Sequence, residues 1–240
     1  AINLPFFNNI RNFTDFIAIG FLCSLYLFFI SENKINKILW SIITLVVLIC
    51  IFWSGSRSSL LGILFCVICI FIFVKNKIEN VLLLLFLSIL SFYISTFFVV
   101  SNRGFGFANS IYRTTSGSLN EITSLRYDLY SKIVDYIIDK PVIGYGGEAV
   151  RNYIVNIYNI QVSQAHNFIL QIIIEFGFLG LFSFAFFTVV YVRKINFLKL
   201  RENPIFAILI CNIFISSIFN GGFYYVCFFH VYILLVKKYS

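Results

Sequence analysis

Charge is what this 240-residue sequence has least of: Asp, Glu, Lys and Arg supply 12% of it, about half of the roughly 25% usual in soluble domains. Methionine is missing altogether and proline occurs only three times. With 31 Phe, 14 Tyr and 60% hydrophobic residues, so few ionisable groups cannot keep a globule of this size in solution. An ordinary water-soluble enzyme is thereby excluded. The apolar runs are long and continuous rather than alternating in twos, so the expected fold class is an all-α integral membrane protein and not a barrel. The start, Ala1-Ile2-Asn3, carries no initiator, and the chain is expected to be part of a longer one. No basic n-region or small-residue cleavage site frames the first apolar stretch, so it does not read as a signal peptide.

Signatures of soluble nucleotide chemistry are also missing. There is no Walker loop, no Gly-rich dinucleotide turn and no DxD-type acid pair. Six cysteines are present, Cys23, Cys50, Cys66, Cys69, Cys211 and Cys227, all inside apolar runs. Cys66-Val-Ile-Cys69 has zinc-knuckle spacing but no second pair and no polar neighbours, so these are read as small apolar residues of helices. No cofactor and no metal site is expected.

Seven apolar segments are present, at about 13–30, 38–53, 59–74, 81–100, 168–192, 204–219 and 223–236. Several fall short of the roughly 20 residues that a full span prefers. Net charge is +8, from 18 Lys and Arg against 10 Asp and Glu. The cations flank the apolar runs, which speaks for membrane orientation and against a nucleic-acid partner. Threading the spans gathers Lys34, Lys37, Lys75, Lys77, Arg193, Lys194, Lys199, Arg201, Lys237 and Lys238 on one side, ten cations opposed by Glu32, Glu79 and Glu202. The positive-inside rule makes that side cytoplasmic. The expectation is a single multi-pass domain over residues 1–240 in the cytoplasmic (inner) membrane, with residues 101–167 as one large outward-facing loop.

Within that loop Ser118-Leu-Asn-Glu121 matches a capping box, and Leu125, Leu129, Ile133 and Ile137 follow at helical spacing. Pro141, Gly144, Gly146 and Gly147 then stop the pattern. An amphipathic helix is expected over residues 119–140, lying on or near the outer membrane face.

Three places carry residues suited to chemistry. Arg57, in Trp53-Ser-Gly-Ser56-Arg-Ser-Ser-Leu-Leu-Gly62, sits in a turn too short to leave the membrane surface. A guanidinium beside hydrocarbon is costly, and its planar fork suits phosphate. Small neighbours such as Ser56 let an anion approach the backbone at the next helix N-terminus; snorkelling to headgroups is the plain alternative. His166 precedes the fifth segment, where a structural hydrogen bond is its ordinary role. Beyond it Asn167, Gln171 and Glu175 recur every four residues on one helix face, either lining a functional path or gluing helices together.

Taken together, Ser-Gly-Ser-Arg57-Ser-Ser-Leu-Leu-Gly, Leu125-Arg126 with Pro141-Val-Ile-Gly144-Tyr-Gly146, and His166-Asn167 with Glu175-Phe-Gly177-Phe-Leu-Gly180 resemble the O-antigen ligase/polymerase (Wzy/WaaL-like) family. The resemblance covers essentially the whole chain, which is similar to the C-terminal portion of a family member. It implies a metal-independent, inverting glycosyltransferase. The implied partners are an undecaprenyl-pyrophosphate-linked glycan donor, membrane lipid, and an acceptor that is another glycan, a lipid A core or a protein. By resemblance Arg57 and Arg126 would hold the pyrophosphate, His166 would activate the acceptor, and Arg11 is similar to a basic residue ahead of the family's preceding span. An imidazole whose ordinary pKa is near 6.5 suits a base, and fixed guanidinium donors suit a departing pyrophosphate. A transporter or flippase for an anionic lipid or glycolipid is the alternative from another class. It would be favoured by paired broken helices, which the sequence does not announce.

Overall fold

A computed structural model of the chain describes residues 10–74, 78–98, 126–154, 156–157, 160–194 and 202–220, with isolated positions 106, 123, 196 and 237. It contains eight helices among these residues: α1 (Ile10–Ile30), α2 (Lys34–Ser54), α3 (Arg57–Phe73), α4 (Ile78–Phe97), α5 (Arg126–Asp139), α6 (Ala149–Tyr153), α7 (Phe168–Arg193) and α8 (Pro204–Asn220). The six apolar ones follow the first six expected segments closely, and the seventh, 223–236, lies outside the described residues. Four helices (α1, α2, α4 and α7) are long and apolar enough to cross a membrane, while α3 and α8 are shorter apolar helices. The chain divides into two compact units, one of residues 1–112 with 200–213 and the other of residues 113–199 with 214–240.

In the first unit α1 is the most enclosed helix, with Ala18, Leu22, Leu25 and Phe28 buried. Its neighbour α2, and α4 packed on α2, turn Ile38, Leu39, Ile42, Leu82, Leu85, Phe86 and Ile89 outward. Apolar surface so extensive is tolerated only where hydrocarbon, not water, is the solvent. Lipid gives such helices no hydrophobic reason to associate, so small and polar side chains join them. Thr44 Oγ1 of α2 donates to Ser24 Oγ of α1 at 3.1 Å, and Ser91 Oγ of α4 donates to the Leu45 carbonyl of α2 at 3.2 Å. At one end Lys37 donates to Asn80, and at the other Trp53 Nε1 donates to the Phe98 carbonyl at 2.8 Å. Between α2 and α3 the turn closes on Gly55 at φ +62°, where a Cβ would meet the Gly106 carbonyl oxygen at 2.6 Å. Only glycine fits both demands.

The second unit is built on the loop helix. Leu129 and Ile133 of α5 are buried against Ala149 and Val150 of α6, Ile154, Ala165 and Ile174 of α7, with Ile137 packed alongside. The expected apolar face is therefore occupied by protein. The described helix, Arg126–Asp139, lies inside the expected range 119–140; ahead of it the Thr123 carbonyl accepts the Arg126 N–H and Thr123 Oγ1 accepts the Tyr127 N–H. The Ser118–Glu121 capping box lies outside the described residues. Asn156–Ile157 and Ile160–Gln161 form a two-residue antiparallel ladder.

The largest departure from expectation is in α7, which was expected to be one unbroken span. At Gly177 φ is +64° and ψ −169°, and the helix breaks. A break frees backbone groups that a membrane cannot hydrate. Here the Pro141–Gly146 segment takes them up. Tyr145 N–H donates to the Ile174 carbonyl at 2.9 Å and Gly146 N–H to the Glu175 carbonyl at 2.8 Å. Beyond the break, Phe178 N–H donates to the Pro141 carbonyl at 2.8 Å and Leu179 N–H to the Val142 carbonyl at 3.1 Å. The two strands of this clasp approach so closely that a Cβ on Gly144 would lie 2.6 Å from the Glu175 carbonyl carbon, and one on Gly177 would lie 2.1 Å from the Val142 oxygen.

Candidate functional site

In the first unit Arg57 is the first residue of α3, half-buried, with Ser56 as N-cap. The Ser56 hydroxyl does not cap its own helix. It lies 3.0 Å from Ser59 Oγ and 3.3 Å from Ser58 Oγ, and Ser59 Oγ donates to Asp15 Oδ1 at 2.6 Å. That last bond brings the beginning of α1 to the beginning of α3. Arg11 stands one turn before Asp15 on α1, half-buried on the same helix face. A hydroxyl chain ending on a buried carboxylate, with a guanidinium on each of the two helices it joins, is a polar cluster between spans. Asp15 was the informative residue that the sequence reading passed over. An acid inside an apolar span is a functional candidate by itself.

In the second unit Arg126 opens α5. Its Nη2 donates to Asn220 Oδ1, at the end of α8, at 3.4 Å, and the Tyr130 hydroxyl, one turn on, lies beside its guanidinium. Its Nε is buried with no hydrogen-bond partner. Burial pulls the guanidinium below its ordinary pKa, while the Tyr130 hydroxyl works in the opposite direction. Tyr130 also reaches His166: its hydroxyl donates to the His166 carbonyl at 3.5 Å. His166 sits at φ +53°, a left-handed conformation rare for a residue with a Cβ. Tyr130, which the sequence reading did not single out, thus stands beside the Arg126 guanidinium and on the backbone carbonyl of His166.

The polar stripe beyond His166 divides into separate jobs. Asn167 caps α7, its Oδ1 accepting the Ile169 N–H at 2.9 Å and the Leu170 N–H at 3.1 Å. Gln171 Oε1 accepts the Ala165 N–H at 2.6 Å, while Gln171 Nε2 donates to Glu175 Oε1 at 2.7 Å. Glu175 Oε1 also accepts the Glu148 N–H at 3.0 Å. The expected glue between helices is instead a tie between α7 and the segment leading into α6. That chain of bonds runs from Glu148 to Ala165, the residue before His166, and so fixes the histidine turn to the clasp.

A family model described as O-antigen ligase matches residues 43–185, more than half of the chain, from the middle of α2 to past the break in α7. The chain belongs to the O-antigen ligase family. As a family member with several apolar helices it is a multi-pass membrane protein whose role is glycan transfer. No curated protein and no solved structure matches it. The family match takes in Ser56, Arg57, Arg126, His166, Asn167 and Glu175, and leaves Arg11, Asp15 and Asn220 outside. The glycines of Glu175-Phe-Gly177-Phe-Leu-Gly180, which lies within the matched residues, have a backbone meaning in the structure. Gly177 makes the break, and a Cβ on Gly180 would lie 2.3 Å from Phe176 Cβ.

Asn212, Ser216 and Asn220 are a further set that sequence reasoning missed. They recur every fourth residue of α8 and all are buried. Three buried side-chain atoms lack a hydrogen-bond partner among the described residues, and they are Arg126 Nε, Asn212 Oδ1 and Ser216 Oγ. The signal was present as a spacing of four, but two serines and two asparagines in an apolar run also read as ordinary interhelical polar residues.

Proposed function

We propose that this chain transfers a glycan from an undecaprenyl-pyrophosphate carrier to an acceptor hydroxyl at the outer face of the cytoplasmic membrane, without a metal and with inversion at the sugar. The observation that carries the reading is Arg126. Its guanidinium is largely desolvated, its described partners are an amide and a phenol, and its Nε is unpaired. A buried cation without a counter-ion is unfavourable unless an anion arrives to meet it. A pyrophosphate supplies that anion, and the planar fork of arginine suits its oxygens.

His166, whose backbone carbonyl accepts from the Tyr130 hydroxyl beside Arg126, takes the proton of the acceptor hydroxyl. The acceptor oxygen then bonds to the anomeric carbon as the bond from that carbon to the pyrophosphate oxygen breaks. The electron pair leaves with the pyrophosphate, where fixed guanidinium donors stabilise it more than reorganising water would. Arg57 takes part in holding the donor because its planar fork suits phosphate oxygens, with Ser56 and Arg11 as further polar residues of the first unit. The excess of cations in the short connections supports an inward orientation for them and an outward one for residues 101–167. The acceptor is a lipid-linked glycan, a lipid A core or a protein hydroxyl.

The test is reconstitution of the protein with an undecaprenyl-pyrophosphate glycan and each acceptor class, identifying the product and its anomeric configuration. Product formed only with one acceptor, and abolished by Arg126→Ala, is the expected result. Donor turnover that persists unchanged in Arg126→Ala would overturn the assignment.

A further inference from the structure

We propose that Ser216 and Asn220 of α8 complete a phosphate-oxygen site with Arg126, and that position 220 carries an amide so that the guanidinium stays un-neutralised until a phosphate arrives. The inference rests on the reading of Arg126 as a ligand of the donor's pyrophosphate and adds the residues that prepare it.

Asn220 is 3% exposed and presents Oδ1 to Arg126 Nη2 at 3.4 Å. An amide oxygen can orient a guanidinium but cannot cancel its charge. A carboxylate at the same place would do both, and more strongly. Ser216 lies four residues earlier on the same helix face, about 6 Å along the axis. It is 4% exposed, and its hydroxyl is buried with no partner. A buried hydroxyl left unpaired costs roughly what a hydrogen bond is worth, and so does the Nε–H of Arg126. Two of the three orphaned buried atoms among the described residues therefore belong to Arg126 and to the residue one turn along the helix from its partner. Both are donors, as a phosphate requires. A phosphate oxygen at Nε with a second oxygen at Ser216 Oγ satisfies both at once, and the apolar run that contains Ser216 suits the polyprenyl-bearing end of the donor.

The experiment uses the whole chain in neutral phosphatidylcholine nanodiscs. Thermal unfolding and equilibrium binding are followed with inorganic pyrophosphate, with undecaprenyl pyrophosphate, and in phosphatidylglycerol discs without either. Both pyrophosphates are expected to bind and to raise the unfolding temperature of the wild type. Undecaprenyl pyrophosphate should bind more tightly, and phosphatidylglycerol should have no comparable effect. A response to phosphatidylglycerol equal to that to undecaprenyl pyrophosphate would identify a general headgroup site and overturn the proposal.

Asn220→Asp supplies the missing counter-ion within the protein. It should unfold at a higher temperature than wild type without ligand, and bind both pyrophosphates about a hundredfold more weakly. Asn220→Ala keeps the charge and should bind within about tenfold of wild type. Ser216→Ala should weaken undecaprenyl pyrophosphate about tenfold with no loss of stability. Equal losses in Asn220→Asp and Asn220→Ala, or wild-type binding by Asn220→Asp or by Ser216→Ala, would sink the proposal. Loss of pyrophosphate binding in Arg126→Ala alone, with Asn220→Asp unaffected, would leave the reading of Arg126 standing and overturn only this addition.

Discussion

One oxygen of Glu175 receives two donors, the side-chain amide of Gln171 at 2.7 Å and the backbone N–H of Glu148 at 3.0 Å. The first partner lies on its own helix and the second lies 27 residues earlier in sequence. The carboxylate thus stands at the junction of the broken span and the segment that clasps it. Its burial, at 3% exposure, makes both bonds important, since removing an acceptor strands two donors.

Glu175→Gln should therefore be a mild variant. The Gln carbonyl oxygen can still receive both donors, but without the charge that strengthens them, and a loss of about 1 kcal/mol is expected. Glu175→Ala should lose about 2–4 kcal/mol, the desolvation of two unmatched donors. Thermal unfolding in detergent, set beside turnover per folded molecule, is the check. Wild-type stability in the alanine variant would remove the carboxylate from the junction.

Gly177→Ala and Gly144→Ala should both reduce folded protein severely. Each position combines a positive φ with a Cβ path that ends inside backbone across the clasp. Relief requires the backbones to separate, which breaks the hydrogen bonds that serve the helix break. Expression with limited proteolysis reads the result, and Gly146→Ala makes a useful contrast. It shares the positive φ, but a Cβ there meets nothing within 4 Å, so only the conformational strain of about 1 kcal/mol should appear.

Arg126→Met should separate stability from activity. Its pKa is depressed in the folded chain, so below that pKa the folded state holds the cation less favourably than the unfolded state does. Across neutral pH this opposes folding, and a neutral side chain of similar length removes the opposition. The variant is expected to unfold at the same or a higher temperature and to lose donor binding. A variant that unfolds earlier yet binds donor normally would show a purely structural arginine.

Arg57→Lys should lose about a hundredfold in turnover while keeping its charge, because an ammonium cannot present the bidentate fork. Near-wild-type turnover would make Arg57 a surface anchor.

For His166, loss of the base in His166→Ala should lower transfer by roughly a hundredfold to ten-thousandfold, with donor binding nearly intact. Full turnover in the alanine variant would exclude the histidine as the base.

Six apolar helices were legible in the sequence because their boundaries carry their own signals. Gly55 stops α2, Ser56 begins α3, and charged residues flank the others. The loop helix was legible from the helical spacing of Leu129, Ile133 and Ile137, the face that α5 packs into the core of the second unit. The break in α7 was hidden for a different reason. Glycine is common inside membrane helices, and a break is stable only if another segment supplies hydrogen bonds, a fact about residues 141–146 and not about Gly177. His166 was singled out by its place ahead of the fifth segment and Arg126 by resemblance, while Tyr130 and Asn220, which contact the His166 backbone and the Arg126 guanidinium, look like ordinary members of amphipathic and apolar runs. Asp15 was hidden in plain view, because its neighbour Arg11 drew the interpretation.

The clasp on α7 also imposes an order of events as the chain is made. Residues 141–146 leave the ribosome before residues 168–193 do, so the strand that will receive the bent helix exists before the helix enters the bilayer. Without that strand four backbone groups, the carbonyls of Ile174 and Glu175 and the N–H groups of Phe178 and Leu179, would face lipid bare, at several kcal/mol each. A straight helix satisfies those groups by itself, so a nascent chain deprived of the clasp would insert α7 unbent. Shortening the connection between α4 and α7 would then leave its mark on a span translated later, and the defect would originate during synthesis and not in the finished protein.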